Sequence, residues 1–214
     1  TPFGYQVVFI GNQLQLLRSE RVDSAEGTLN ASITQDDNVL WSAFIDNYGT
    51  LRAGISQIRL TSDYVDTEIV GTVALHPTDN RLLLISIDID TIPQNTLTAV
   101  TAVIDPTISG PGEGLAAAAT GQRYLLTDAI GDSDNSTPAS AWGSLVADAN
   151  DIIEYNGTSW IISFDASERT PDNSSNITDF VTNTTTSIQY KWVGTMWVKS
   201  YQGLYKGGEW SLVL

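Results

Sequence analysis

One short phrase recurs three times in the last third of the chain and narrows what that region can fold into. The copies are Tyr155-Asn156-Gly157-Thr158-Ser159-Trp160, Trp192-Val193-Gly194-Thr195-Met196-Trp197 and Tyr205-Lys206-Gly207-Gly208-Glu209-Trp210. Each places Gly at the first centre of a two-residue turn, where the hairpin geometry asks for a positive φ that Gly adopts at little cost. The expected result is a ribbon in which Tyr155 faces Trp160, Trp192 faces Trp197 and Tyr205 faces Trp210, with Lys206 opposite Glu209 on the other face. Cross-strand aromatic pairs of this kind contribute roughly 0.2–1 kcal/mol each over an alanine pair. The first two copies agree beyond the clamp, since the run from Gly157 to Phe164 parallels the run from Gly194 to Tyr201, which reads as an internal repeat of irregular spacing.

Upstream, short apolar runs alternate with turn signals. Val7 to Ile10 and Leu14 to Leu17 flank Gly11-Asn12 as a first hairpin. Thr28 to Ile33 and Val39 to Asp46 read as strands around Gln35-Asp36-Asp37-Asn38, and Tyr48-Gly49-Thr50 as a turn. Glu68 to Leu75 and Arg81 to Ile89 form the clearest pair, and Leu97 to Ile104 a last strand. With no sustained 3.6-residue period, the pattern predicts an all-β chain that opens with an antiparallel β-sandwich over residues 1–108. The turn-rich run Ser109 to Gly114 and the short Ala116 to Ala119 stretch, a candidate helical turn, place a linker over 109–120. Five of the six Trp follow it, so 121–214 is expected to be a smaller aromatic-rich module built from hairpins, opening with a strand over Arg123 to Thr127. Asp132 to Ala141 and Asp165 to Asp179 read as polar loops.

Charge and composition exclude several functions. A formal charge of -15 argues against nucleic acid, whose phosphates are bound by clustered Lys and Arg. Cysteine is absent, so disulfides and thiolate metal sites are ruled out. No stretch approaches the roughly 20 apolar residues of a spanning helix, so membrane insertion is not expected.

Candidate chemistry is sparse. The sole histidine, His76, precedes Pro77 in a hairpin loop, with nothing nearby that builds a Ser-His-Asp arrangement. Asp88 and Asp90, two apart on a strand, would share a face and could present paired acids for glycoside hydrolysis, with Asp151 a further carboxylate; a solvated face explains the pair equally well. Asp132 to Ser136 opens like a calcium loop, but Thr137 stands at its glycine position and Gly143 at its closing glutamate. Asn30, Asn135, Asn156, Asn173, Asn176 and Asn183 satisfy the glycosylation rule and read as turn and loop residues. No catalytic residue, metal site or cofactor is therefore assigned. The remaining candidates are aromatic: Trp142, Tyr155, Trp160, Trp192, Trp197, Tyr205 and Trp210 can fill a core, stack on sugars or anchor a protein interface.

The order of signals from Gly121 onward carries a resemblance. Gly121-Gln122-Arg123-Tyr124, then Trp142, then Ala149 to Trp160, then Tyr190-Lys191-Trp192 and Gly194 to Trp197 is similar to small β modules of tailed-bacteriophage structural proteins, particularly of the tail fibre and tail periphery. The resemblance covers about the second half of the chain. It implies a non-enzymatic virion component in the tail, fibre, neck or particle surface, partnered by other virion proteins and by copies of itself. The alternative is a carbohydrate- or receptor-binding module that stacks host surface glycan on its Trp residues. A glycan hydrolase is the third reading.

Overall fold

Period-2 alternation in five strands builds the first sheet. The structure, a computed structural model, describes residues 4–18, 39–62, 65–131, 140–170 and 179–214. In chain order the elements are β1 (Tyr5–Ile10), β2 (Gln13–Arg18), α1 (Trp41–Asp46), β3 (Gln57–Ser62), β4 (Val65–Leu75), β5 (Leu82–Ile87), β6 (Ala102–Ile104), β7 (Gly110–Pro111) and β8 (Gly114–Leu115). They continue with β9 (Arg123–Leu126), β10 (Ile152–Tyr155), β11 (Trp160–Phe164), β12 (Phe180–Asn183), β13 (Ile188–Trp192), β14 (Trp197–Lys199), β15 (Gly203–Tyr205) and β16 (Trp210–Val213). The all-β class expected from the sequence is what the chain adopts. It divides into two units, Thr1–Pro93 with Tyr201–Leu214, and Gln94–Ser200.

The first unit is a seven-stranded antiparallel sheet in the order β15-β1-β2-β5-β4-β3-β16. Val7 and Phe9, Leu14 and Leu16, Ile58 and Leu60, Ile69 and Val73, and Leu83 and Ile85 all turn to one core. The two outermost strands, β15 and β16, are joined by only Lys206 to Glu209, so the sheet must curl until its two ends lie one turn apart, without pairing to each other. The result is a near-barrel whose opposing walls supply the two faces of a sandwich. Strand β3 has no counterpart in the sequence reading, although Ile58 and Leu60 alternate with Gln57 and Arg59 as a half-buried strand should.

The strand expected over Val39–Asp46 is instead the helix α1. Trp41, Phe44 and Ile45 stand at i, i+3 and i+4, which is one face of a helix, and all three are buried in the barrel core. The Trp41 indole N–H donates to the Leu14 carbonyl (2.9 Å), and the Trp41 amide to the Asn80 carbonyl (3.1 Å). The expected strand Thr28 to Ile33 and the turn Gln35 to Asn38 lie outside the described residues.

In the second unit, β11-β10-β9-β6 form a four-stranded sheet with β6 parallel to β9, and β12-β13-β14 form a three-stranded one. Tyr124, Leu126 and Ile153 face one core, with Trp142, Ile130 and Trp160; Leu125 and Ile152 face another, with Phe164, Val181 and Trp192. Strand β9 is thus covered on both sides, and all four of its residues are buried.

The division of the chain differs from the expected one. Residues 94–108, expected in the first domain, belong to the second unit: Thr96 and Leu97 donate to the Phe180 carbonyl (3.0 and 3.1 Å), Val100 to that of Thr182 (2.9 Å), and β6 pairs with β9. Of the strand expected over Leu97–Ile104, only Ala102–Ile104 remains. The expected linker 109–120 also lies inside this unit, where it forms the short parallel pair β7-β8, and Ala116 to Ala119 make no helical turn. The module expected over 121–214 ends at Ser200, since Tyr201–Leu214 complete the first unit.

Trp41→Ala should cost the first unit about 3–5 kcal/mol, because it leaves a large cavity in the core and removes the indole hydrogen bond to the Leu14 carbonyl. Hydrogen exchange would read this as lost protection of the β1 and β2 amides, with those of β9 and β10 unchanged.

Candidate functional site

The three repeated phrases do not end alike. In the first, Tyr155 pairs with Trp160 with ring centroids 5.3 Å apart, and the Asn156 amide donates to the Ser159 carbonyl (3.1 Å). In the second, Trp192 pairs with Trp197 at 5.4 Å, and the Val193 amide donates to the Met196 carbonyl (3.1 Å). Gly157 and Gly194 carry positive φ at the first centre, as the hairpin requires.

The third phrase departs. The Glu209 amide donates to the Lys206 carbonyl (3.0 Å), but the positive φ falls on Gly208, the second centre, which is the type II pattern. A type II turn splays the strands it joins. Accordingly β15 pairs with β1 and β16 with β3, so Tyr205 and Trp210 are not cross-strand mates. The expected facing of Tyr205 on Trp210 is therefore wrong, and the position of the positive φ is the local difference that accompanies it. Gly207 beside Gly208 leaves either centre free to take it, so the sequence alone did not choose.

Burial decides what the aromatic candidates can touch. Trp142, Trp160, Trp192 and Trp210 are 2–7 % exposed, and Tyr205 is buried; Tyr155 and Trp197 are half-buried. Tyr124, Trp142, Tyr155 and Trp160 form one cluster, and Phe164, Trp192 and Trp197 another; in the first unit Trp210 packs on Trp41 and Phe44. Four of these indoles are also tied by hydrogen bonds to main-chain carbonyls: Trp142 to Pro106 (3.3 Å), Trp192 to Arg169 (2.7 Å), Trp197 to Asn150 (3.0 Å) and Trp210 to Tyr5 (3.2 Å). Both ends of each ring are thus used internally. Burial also raises the Tyr205 phenol, whose hydroxyl donates to the Tyr201 carbonyl.

The polar candidates organise loops. His76 Nδ1 accepts from the Asp79 amide (3.1 Å), while the Arg81 guanidinium holds the Asp79 carboxyl down at about 2. These residues line a surface depression from His76 to Arg81. Asp88 and Asp90 do not share a strand face, because β5 ends at Ile87 and Asp88 caps a short 3-10 turn by accepting from the Asp90 amide (3.1 Å). Asp151 is buried at 2 % exposure, and its oxygens accept from the Asp148 and Ala166 amides (2.8 Å each). Removal from water pushes its carboxyl up, against the pull of those amides. Asn156 Oδ1 accepts from the Thr158 and Ser159 amides (2.9 Å each), and buried Asn183 from Thr185 (3.0 Å). The sequons at Asn30, Asn135, Asn173 and Asn176 and the Asp132 to Ser136 run lie outside the described residues. Among those that are described, no group of three His, Cys, Asp or Glu side chains could hold a metal ion.

No protein-family model, no curated protein and no solved structure matches this chain. Its function must be argued from the geometry above.

That geometry is an uncharged open edge beside buried aromatics. In the four-stranded sheet β11 pairs, among the described residues, with β10 alone, and Ile161 and Ile162 are 42 % and 38 % exposed. The aromatic count drew attention to Trp160, whose side chain is buried; the two Ile that follow it carry the exposed surface. Their signal in the sequence was an apolar pair with no charge between Asn156 and Phe164.

Two measurements check the structural roles. Trp197→Phe keeps a ring but leaves the Asn150 carbonyl without its donor, and should cost about 1 kcal/mol in urea denaturation, with Trp197→Ala costing more. Asp151 should make the second unit less stable as pH rises from the ordinary Asp range near 4 through its raised folded value, since the folded state holds the proton longer. Relative to Asp151→Asn, which cannot ionise, wild type should therefore lose stability across that interval; a constant difference between the two would show that the shift is absent.

Proposed function

We propose that this chain is a non-enzymatic structural component of a tailed-phage particle, working in the tail, fibre, neck or particle surface by docking on neighbouring virion proteins and on copies of itself. The observation that carries the reading is the folding of the Gly121 to Trp197 run, the stretch that resembles phage β modules, into one unit with both of its aromatic clamps turned to the interior. Rigid β units offering surface and no chemical turnover suit an assembly role, since shape and edge complementarity then do the work. The charge of -15 keeps separate chains soluble and leaves nucleic acid an unfavourable partner.

The glycan-binding alternative needs exposed indole faces. Trp142, Trp160, Trp192 and Trp210 are withdrawn into cores, which weighs against it. The hydrolase reading needs two carboxylates across a cleft, whereas Asp88 caps a turn and Asp151 is buried on amides.

The direct test is mass spectrometry of purified particles from the source of the chain. Its peptides should appear at a fixed ratio to other virion proteins; their absence from particles that are otherwise complete would refute the proposal. A glycan panel titrated against intrinsic Trp fluorescence should give no saturable quenching, and saturation would promote the binding-module alternative.

A further inference from the structure

We infer that the open edge of β11 is a self-pairing site, at which two copies of this chain join their four-stranded sheets into one continuous sheet across a two-fold axis. The direction of the main-chain groups comes first. The Tyr155 amide donates to the Gln122 carbonyl (2.9 Å), and the Tyr155 carbonyl accepts from Gly121 (2.8 Å), so Tyr155 spends its main chain on the β9 side. Trp160, its mate on β11, therefore forms a non-hydrogen-bonded pair with it, and in an antiparallel ladder its own N–H and C=O point away from β10. Alternation makes Ile161 bond to Glu154 and turns the main chain of Ile162 outward again. No hydrogen bond from the described residues reaches these outward groups. They form a short template for one more strand.

The side chains define what kind of strand. Edges can be blunted by a bulge, as at Ser163 beyond the Trp160 to Ile162 segment, and otherwise by Lys, Pro or an inward charge. The Trp160 to Ile162 segment has none of these, and the nine residues from Asn156 to Phe164 are uncharged in a chain of net charge -15. Most of the surface of a second copy is repelled at close range, over the roughly 8 Å that charges reach at physiological ionic strength. An approach edge to edge through β11 brings no charged residue of either strand opposite another. A strongly charged strand, by contrast, would find no counter-charge here. The partner that fits is as neutral and as β-prone as β11 itself, and a second β11 meets both conditions.

Register follows from the same groups. An antiparallel pair centred on Ile161 sets Trp160 against Ile162 of the second copy and Ile162 against its Trp160, each pair exchanging both of its hydrogen bonds, with Ile161 facing Ile161. The bulge at Ser163, where two β11 residues oppose one on β10, ends the ladder there and keeps the pairing to this short segment. Both isoleucines gain cover, one on each face of the joined sheet. The interface is isologous, so it closes at two copies and does not propagate.

Light scattering on the full chain should give twice the chain mass. Ile161→Lys, which sets like charges opposite each other across the axis, should weaken the dimer about tenfold or more, while Ile89→Lys, at an exposed position in the first unit, should leave it intact. A monomeric wild type, or an Ile161→Lys protein as dimeric as wild type, overturns the inference. Because the chain has no cysteine, Ile161→Cys supplies a second readout that does not depend on a destabilising charge. It should oxidise to a covalent dimer much faster than Ile89→Cys, and equal rates overturn the pairing. The inference deepens the assembly reading and rests on it for its biological setting, and the two fail separately. A monomer that is nonetheless found in particles sinks only the strand pairing, whereas a dimer absent from particles sinks only the virion role.

Discussion

The first sheet closes through four residues, and the organisation of the chain depends on that closure. Lys206 to Glu209 join the two strands that lie at opposite ends of the seven-stranded order, so the core of this near-barrel is complete only when β15 and β16 have joined β1 and β3. Every strand from β1 to β5 contributes side chains to this core, yet Tyr205 and Trp210, from the far end of the sequence, sit in it as well. The cost is a large loop-closure entropy, because nearly the whole chain separates β1 from β15. What offsets it is the burial of two aromatic side chains and two ladders of backbone hydrogen bonds.

Indoles recur at each place where strands must be held at a fixed distance. A Trp offers a large apolar face together with one N–H that requires a partner once buried. Here that N–H repeatedly reaches a main-chain carbonyl outside its own strand pair: Trp41 to Leu14, Trp210 to Tyr5, Trp192 to Arg169 and Trp197 to Asn150. The Asn150 carbonyl belongs to a turn residue with a φ of 75°, a left-handed conformation that Asn tolerates better than most side chains. Each indole thus links packing to loop geometry. The same arrangement withdraws Trp41, Trp192 and Trp210 from solvent and leaves Trp197 half-buried.

Much of the local structure was legible in the sequence because it is local. The Gly11-Asn12 hairpin, the β4-β5 pair and the first two aromatic clamps follow from turn residues and alternation within about a dozen residues. The helix α1 was missed for a related reason. Trp41, Phe44 and Ile45 satisfy a helical period as well as a loose strand pattern, and the helix has only 6 residues, too few for the period to declare itself. The candidate site was legible only as composition: the Trp and Tyr residues were visible, but their burial was not, and the isoleucines of β11 drew no attention beside them.

The sequence by itself determined that the chain would be β-rich, acidic and free of disulfides, and that Gly-centred turns would set Tyr155 on Trp160 and Trp192 on Trp197, since those contacts need only a turn and its immediate neighbours. Tertiary structure decided which strands share a sheet, that residues 94–120 join the second unit, and that the third turn would link the two edges of the first sheet instead of forming a hairpin. The physical reason is that the Gly207-Gly208 turn can be made with positive φ at either centre, so its strands take the partners that bury Tyr205 and Trp210, and those partners lie far away along the chain.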